Sequence, residues 1–153
     1  MNDFRLGFAK KFGITDTIRS DDPDAHQKIL AKTQNRGVDI AMVSTGSVNA
    51  ISQAIDLVRK GGTVMMFGVP TKDVKMSLEM SKVYSKEITI TPSYAASETD
   101  TNEAFRLIEQ GTINVKKLIT HKFDLVDSAK ALDYAHQGND SMKIIITNSE
   151  TLN

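Results

Sequence analysis

The sequence predicts an α/β protein built on a doubly wound, parallel sheet. Three observations carry that prediction. Residues 38–43, VDIAMV, and 63–67, TVMMF, are short and almost wholly apolar, the pattern of strands covered on both faces. Between them Val48, Ile51, Ile55 and Val58 recur at helical spacing. A helix returning the chain from one buried strand to the next makes a parallel βαβ unit. A similar alternation closes the chain, where a helix over 127–137 leads through Gly138 to the strand MKIIIT at 142–147.

The remaining elements follow in order. Phe4 and Phe8 lie four apart and Leu6 and Ala9 three apart, which predicts an opening helix stopped at Gly13. Residues 15–18 form a strand candidate. Asp22 as N-cap and Pro23 at the first helical position start a helix that runs to about Gln34 and ends before Gly37. Thr45-Gly46-Ser47 turns the first apolar run into its helix, and Gly61-Gly62 is expected to terminate that helix. Residues 71–86 are loop and short helix, and the alternating ITIT at 88–91 is a strand halted by Pro92. The stretch 97–100 is rich in N-cap residues, and the helix after it turns Ala104, Leu107 and Ile108 inward before ending at Gly111. Residues 118–123 are a further strand candidate. With no repeat, low-complexity tract or linker, residues 1–147 read as one domain followed by a tail, 148–153.

Composition narrows the function. Nineteen basic and nineteen acidic residues give zero net charge, so bulk electrostatics supports neither a nucleic-acid nor an anionic-membrane partner. No apolar run approaches the roughly 20 residues of a membrane span, and the N-terminus lacks a signal-peptide layout, so a cytoplasmic protein is expected. The absence of cysteine excludes disulfides, thiolate metal sites and a cysteine nucleophile. His26, His121 and His136 are scattered and set up no metal site, and no Ser/His/Asp spacing points to a hydrolase.

Doubly wound domains bind ligands beyond the carboxyl ends of their strands. Those ends here carry Ser44-Thr45-Gly46-Ser47, Phe67-Gly68-Val69-Pro70 and Pro92-Ser93-Tyr94. The glycines allow a flat ligand to approach the backbone and the hydroxyls can orient it. Glycine after a strand is also ordinary turn chemistry, and the residues alone leave both readings open.

Arg5-Leu6, Ala9-Lys10, Phe12-Gly13, Gly37-Val38-Asp39, Gly46, Lys60-Gly61-Gly62-Thr63 and Phe67-Gly68 together resemble the cofactor domain of the medium-chain dehydrogenases. The stretches ITHKFDL at 119–125, AKAL at 129–132 and MKII at 142–145 continue the likeness. It covers nearly the whole chain, in order, and points to the zinc-dependent alcohol, sorbitol and threonine dehydrogenases. The resemblance implies an incomplete Rossmann-like sheet, lacking the first two strands and the glycine fingerprint. It places Met1 just after the acid that binds the adenosine ribose, so the opening helix is expected to be a cut edge. In the family's strand order, 3-2-1-4-5-6, residues 15–18 would be strand 3, separated from strand 4 by a gap. The chain is then expected to re-pair its sheet, to swap elements with a copy of itself, or to take the missing piece from outside.

Carried over position by position, the resemblance implies a set of cofactor contacts. Asn2 would lie by the adenosine ribose, where a neutral residue favours NAD over NADP, and Arg5 along the ribose or adenine. Thr45 and Gly46 would line the cleft. Phe67, Gly68 and Val69 would meet the nicotinamide end, Ser93 and Tyr94 would supply main-chain partners for its carboxamide, and Lys143 would contact the pyrophosphate. Zinc would belong only to the missing catalytic domain. The function implied is the nucleotide-binding part of an alcohol or polyol dehydrogenase, inactive alone and holding NAD weakly. Its partners would be a second copy, through strand 88–91 or a swap, or a separate N-terminal catalytic chain. The alternatives are a non-catalytic oligomerisation or complementation module and a zinc-free quinone reductase relative. The Arg5-Leu6 and Thr120-His121 wording fits the zinc-type branch better.

Overall fold

The computed structural model describes residues 3–148, and these divide into two compact units. One contains residues 22–95. The other joins the opening segment to residues from 96 onward. Every strand pair is parallel, as the apolar runs predict, but the strands fall into a three-stranded and a two-stranded sheet.

In the unit of residues 22–95, α2 (Ala25–Lys32) leads to β1 (Val38–Val43), α3 (Val48–Leu57), β2 (Val58–Met66), α4 (Met80–Lys86) and β3 (Thr89–Pro92), with sheet order β1-β2-β3. β1 has the predicted bounds because its apolar run is bracketed by Gly37 and the turn at 44–46. The core is the face where α3 meets the sheet: Val43, Ile51, Ala54, Ile55, Val58, Val64 and Ile88 are buried together. Ile51 and Ile55 are one helical turn apart and Val43 and Val64 point to the same side of adjacent strands, so 3.6-residue and two-residue periods meet in one layer. The opposite face of β1 is open, with Ile40 and Met42 more than half exposed.

Three boundaries differ from expectation. α2 starts at Ala25 rather than Pro23, because Asp22 closes a turn first: its carboxylate accepts the Asp24 amide at 2.9 Å and its carbonyl the Ala25 amide at 3.0 Å. The helix ends at Lys32 with Thr33 as its C-cap, after which Gln34 and Asn35 both take positive φ and the Asn35 amide reaches back to the Leu30 carbonyl at 2.8 Å. Gly61-Gly62 does not stop α3. The helix ends at Leu57 and β2 begins at Val58, so both glycines lie inside the strand, where the register jumps from Val38–Val58 to Ile40–Thr63. Gly61, at φ 66°, makes that bulge possible.

Asp39 sits beside this bulge, bonded by Arg59 and by Arg36. Hydrogen bonding from Arg59, reinforced by the charges of Arg36 and Arg59, holds its carboxyl below the usual carboxylate range. A carboxyl lowered in the folded state contributes stability above its unfolded pKa and loses it as pH falls through the folded value. Asp39→Asn should therefore flatten the decline of the urea midpoint below about pH 4, and only slightly, because the pair is solvent-exposed. A decline identical in both proteins would rule the pairing out as an acid-sensitive contact.

The second unit contains α1 (Asp3–Lys10), α5 (Glu98–Glu109), β4 (Ile119–Asp124), α6 (Ser128–Gln137) and β5 (Lys143–Thr147), with short 3₁₀ turns at Val115–Leu118 and Leu125–Asp127. Phe4, Phe8 and Phe12 stack successively along one side of α1 and its continuation, with ring centroids 5.7 and 5.4 Å apart. Gly13, at φ 76°, ends the turn as predicted. Residues 15–18 form no strand. An isolated extended segment has no ladder for its amides, and among the described residues no strand pairs with it. α5 starts on a capping box: the Ser97 hydroxyl accepts the Asp100 amide, and the Asp100 carboxylate accepts the Ser97 amide at 2.9 Å. Its expected inner face is not buried, since Ala104 and Ile108 are exposed and Leu107 half-buried. Among the described residues, the sheet of this unit is the two-stranded β4–β5 ladder, on which α6 packs through the buried Ala131.

Candidate functional site: the carboxyl edge of the three-stranded sheet

In parallel sheets the carboxyl ends of the strands fall level with one another, and here Val43, Met66 and Pro92 are register partners. Beyond them the chain continues the ladder for one more step. The amides of Phe67 and Gly68 both donate to the Val43 carbonyl, at 3.0 and 2.8 Å, and the Ser93 amide donates to the Met66 carbonyl at 2.9 Å. Seven of the ten candidate residues, Thr45, Gly46, Phe67, Gly68, Val69, Ser93 and Tyr94, therefore stand on three successive loops at one edge.

The loop after β1 is organised by hydroxyls. Ser47 caps α3 by accepting the Ala50 amide at 3.4 Å, and Thr45 Oγ1 accepts the Ser47 amide at 3.4 Å. The loop after β2 presses against it. A Cβ on Gly68 would lie 2.4 Å from the backbone of Thr45, and a Cβ on Gly46 would lie 2.3 Å from the Val69 carbonyl oxygen. Both glycines thus serve loop-to-loop contact. The apolar side chains around them are open to solvent: Phe67 is 57%, Val69 74% and Tyr94 85% exposed.

Arg5 and Lys143 belong to the other unit. Arg5 is exposed on α1, with its guanidinium against Gly138, the left-handed residue ending α6: a Cβ there would be 3.3 Å from Nη2. Lys143 is the exposed first residue of β5, and its carbonyl accepts the Thr120 hydroxyl at 3.3 Å. Asn2 lies outside the described residues. Sequence patterning missed Lys86, whose ammonium lies 3.4, 3.0 and 3.1 Å from the carbonyls of Ile55, Asp56 and Val58. It also missed a cluster in the second unit, where His121 stacks on Tyr134 at 4.8 Å and the Tyr134 hydroxyl donates to Asp140 at 2.5 Å. That bond and desolvation raise the Tyr134 phenol above its ordinary value.

The residues do not fit zinc. The chain has no cysteine, and among the described residues no three His, Asp or Glu side chains gather into a ligand set. His26 and His136 are exposed on α2 and α6, and His121 is engaged with Thr120 and Tyr134. The edge at 45–47, 67–69 and 93–94 does fit the uncharged end of a dinucleotide, since it offers hydroxyls, backbone groups and exposed apolar surface.

A parallel α/β unit with glycine and hydroxyl loops at its carboxyl edge is the architecture of proteins that bind ligands beyond their strand ends. More particularly, the chain belongs to the zinc-binding dehydrogenase family, whose model matches residues 1–110. It is 33% identical over 159 aligned residues to sorbitol dehydrogenase 1 of Saccharomyces cerevisiae, an alignment covering 97% of this chain and 43% of the relative. Against L-threonine 3-dehydrogenase of Bacillus velezensis it is 30% identical over 146 residues, covering 95% and 42%. Its fold is that of an Escherichia coli alcohol dehydrogenase solved with NADH, at a TM-score of 0.84 and 19% identity, covering 95% of this chain and 42% of that one. The chain thus spans about two fifths of the length of the curated relatives it matches.

Proposed function

We propose that this chain supplies the nicotinamide-binding portion of a zinc-type alcohol or polyol dehydrogenase. The observation that carries the proposal is the level carboxyl edge at Val43, Met66 and Pro92, with Thr45, Phe67–Val69 and Ser93-Tyr94 projecting beyond it. Two relatives named for sorbitol and threonine support an alcohol as substrate class.

In this role the loop backbones and hydroxyls orient the carboxamide, while Phe67, Val69 and Tyr94 give the ring an apolar bed. Bound NAD supplies the hydride acceptor. The neutral Asn2 favours NAD over NADP. The Lewis-acid chemistry lies with residues other than those of this chain, so the chain alone is expected to turn over no alcohol. Mixing it with a separately expressed catalytic portion of a sorbitol dehydrogenase should give NADH formation that neither component gives alone. Turnover by the isolated chain at an ordinary rate would refute the assignment.

A second copy is the partner we assign to β3, which has β2 on one side and, among the described residues, no strand on the other. Antiparallel pairing of 89–91 with its copy would satisfy that edge. Size-exclusion chromatography should give a dimer that Ile90→Pro dissociates; a monomer at all concentrations would exclude it.

A further inference from the structure

We infer that Gly46 and Gly68 are positioning residues that lock the loops after β1 and β2 into one rigid lip at the carboxyl edge. The contact is reciprocal. Gly68 is filled from the first loop, by the backbone nitrogen, Cα and carbonyl carbon of Thr45, all within 2.4–2.5 Å of where its Cβ would be. Gly46 is filled from the second, by the Val69 carbonyl oxygen at 2.3 Å and Pro70 Cα at 3.0 Å. No side chain can be pushed aside at either place, because the neighbours are main chain. Neither glycine has a positive φ, so the requirement is for space.

The interlock is tied to the sheet from one side. Phe67 and Gly68 donate their amides to the Val43 carbonyl, so the second loop is anchored at the end of β1 before it meets Thr45. The first loop is anchored by Ser47 at the N-terminus of α3, whose Ile51 and Ile55 are core residues. Strand end, helix start and both loops therefore form a closed circuit, and the loops open together or not at all. Phe67 and Val69, which flank Gly68, are held facing solvent by that circuit rather than by burial. Their role in placing the nicotinamide ring rests on the cofactor proposal; the lock itself does not.

Two measurements separate these statements. In hydrogen exchange on the full chain, Gly46→Ala should speed exchange of the Phe67 and Gly68 amides on the order of tenfold or more, while Val64 and Met65 within β2 stay protected. Unchanged exchange at 67–68, or a uniform loss across the sheet, would overturn the lock. Should Gly46→Ala fail to fold, the wild-type chain still decides: the Ser47 amide and the Phe67 and Gly68 amides must share one denaturant dependence of opening, and independent openings would overturn it. In the second measurement, Gly68→Ala should weaken NADH binding and reduce the nicotinamide fluorescence enhancement while leaving ADP-ribose affinity unchanged. Equal loss for both ligands would overturn the positioning role. Wild-type binding of neither ligand would overturn both that role and the cofactor proposal, with the exchange result left standing.

Discussion

Replacing Ile55 with alanine is expected to cost the unit of residues 22–95 about 2–5 kcal/mol. Ile55 is 3% exposed on the inner face of α3, in one cluster with Ile51, Val43, Val58 and Val64. Truncation removes the transfer free energy of three carbon atoms and leaves a cavity, which backbones fixed by parallel pairing on both sides of β2 collapse into poorly. A unit of about seventy residues has roughly 4–11 kcal/mol in total, so the loss is a large share of its stability. Urea denaturation followed by far-ultraviolet circular dichroism would show it as a lower midpoint at constant slope. Ile40→Ala is the control. Ile40 is 63% exposed on the open face of β1 and should change stability by no more than about 0.5 kcal/mol. Equal effects at the two positions would show that the buried layer described for α3 is not the core.

The second large effect is expected at Lys86. A helix end usually disposes of its last carbonyls through a glycine turn, but α3 passes into β2 between Leu57 and Val58 with no intervening residue. The donor comes from α4. Lys86 Nζ reaches the Ile55, Asp56 and Val58 carbonyls, and the preceding turn adds an ion pair from Lys82 to the Asp56 carboxylate. A cation at a helix C-terminus also complements the dipole. Lys86→Met keeps the aliphatic stem and removes the donor, and should cost about 1–3 kcal/mol. The same substitution at Lys60, exposed on the bulge of β2, should be close to neutral. Stability unchanged in Lys86→Met would mean that water caps α3 equally well.

Much of the architecture was legible beforehand, for reasons visible in particular residues. β1 has its expected bounds because the apolar run is bracketed by Gly37 and the turn at 44–46, but only one of its faces is covered, since Ile40 and Met42 face solvent. The capping box at Ser97 and Asp100 and the left-handed stops at Gly13, Gly111 and Gly138 are local chemistry, and each is where the pattern put it. Reading failed where local chemistry was ambiguous. Gly61-Gly62 is as good a helix stop as a strand bulge, and the pairing of β2 with β1 decided for the bulge. The thirteen residues of 98–110 have a clean amphipathic pattern, yet pattern alone does not provide a surface, and α5 buries no residue. Residues 15–18 have strand composition without a strand beside them.

The candidate edge divides in the same way. Its membership was readable, because Thr45, Gly46, Phe67, Gly68, Val69, Ser93 and Tyr94 all follow strand ends, and parallel strands align those ends. The purpose of its glycines was not. Periodicity and turn signals within a few positions account for most of the helices and strands, the parallel sense of the pairing and the residues that gather at one edge, but not for residues 15–18 or the junction of α3 with β2. Tertiary structure alone decided that Gly46 and Gly68 interlock with each other's loops, that Lys86 caps a helix thirty residues away in the chain, and that the strands separate into two sheets. Those outcomes depend on main-chain atoms brought together across long stretches of sequence, where the space for a Cβ or the lack of a donor exists only after the chain has folded.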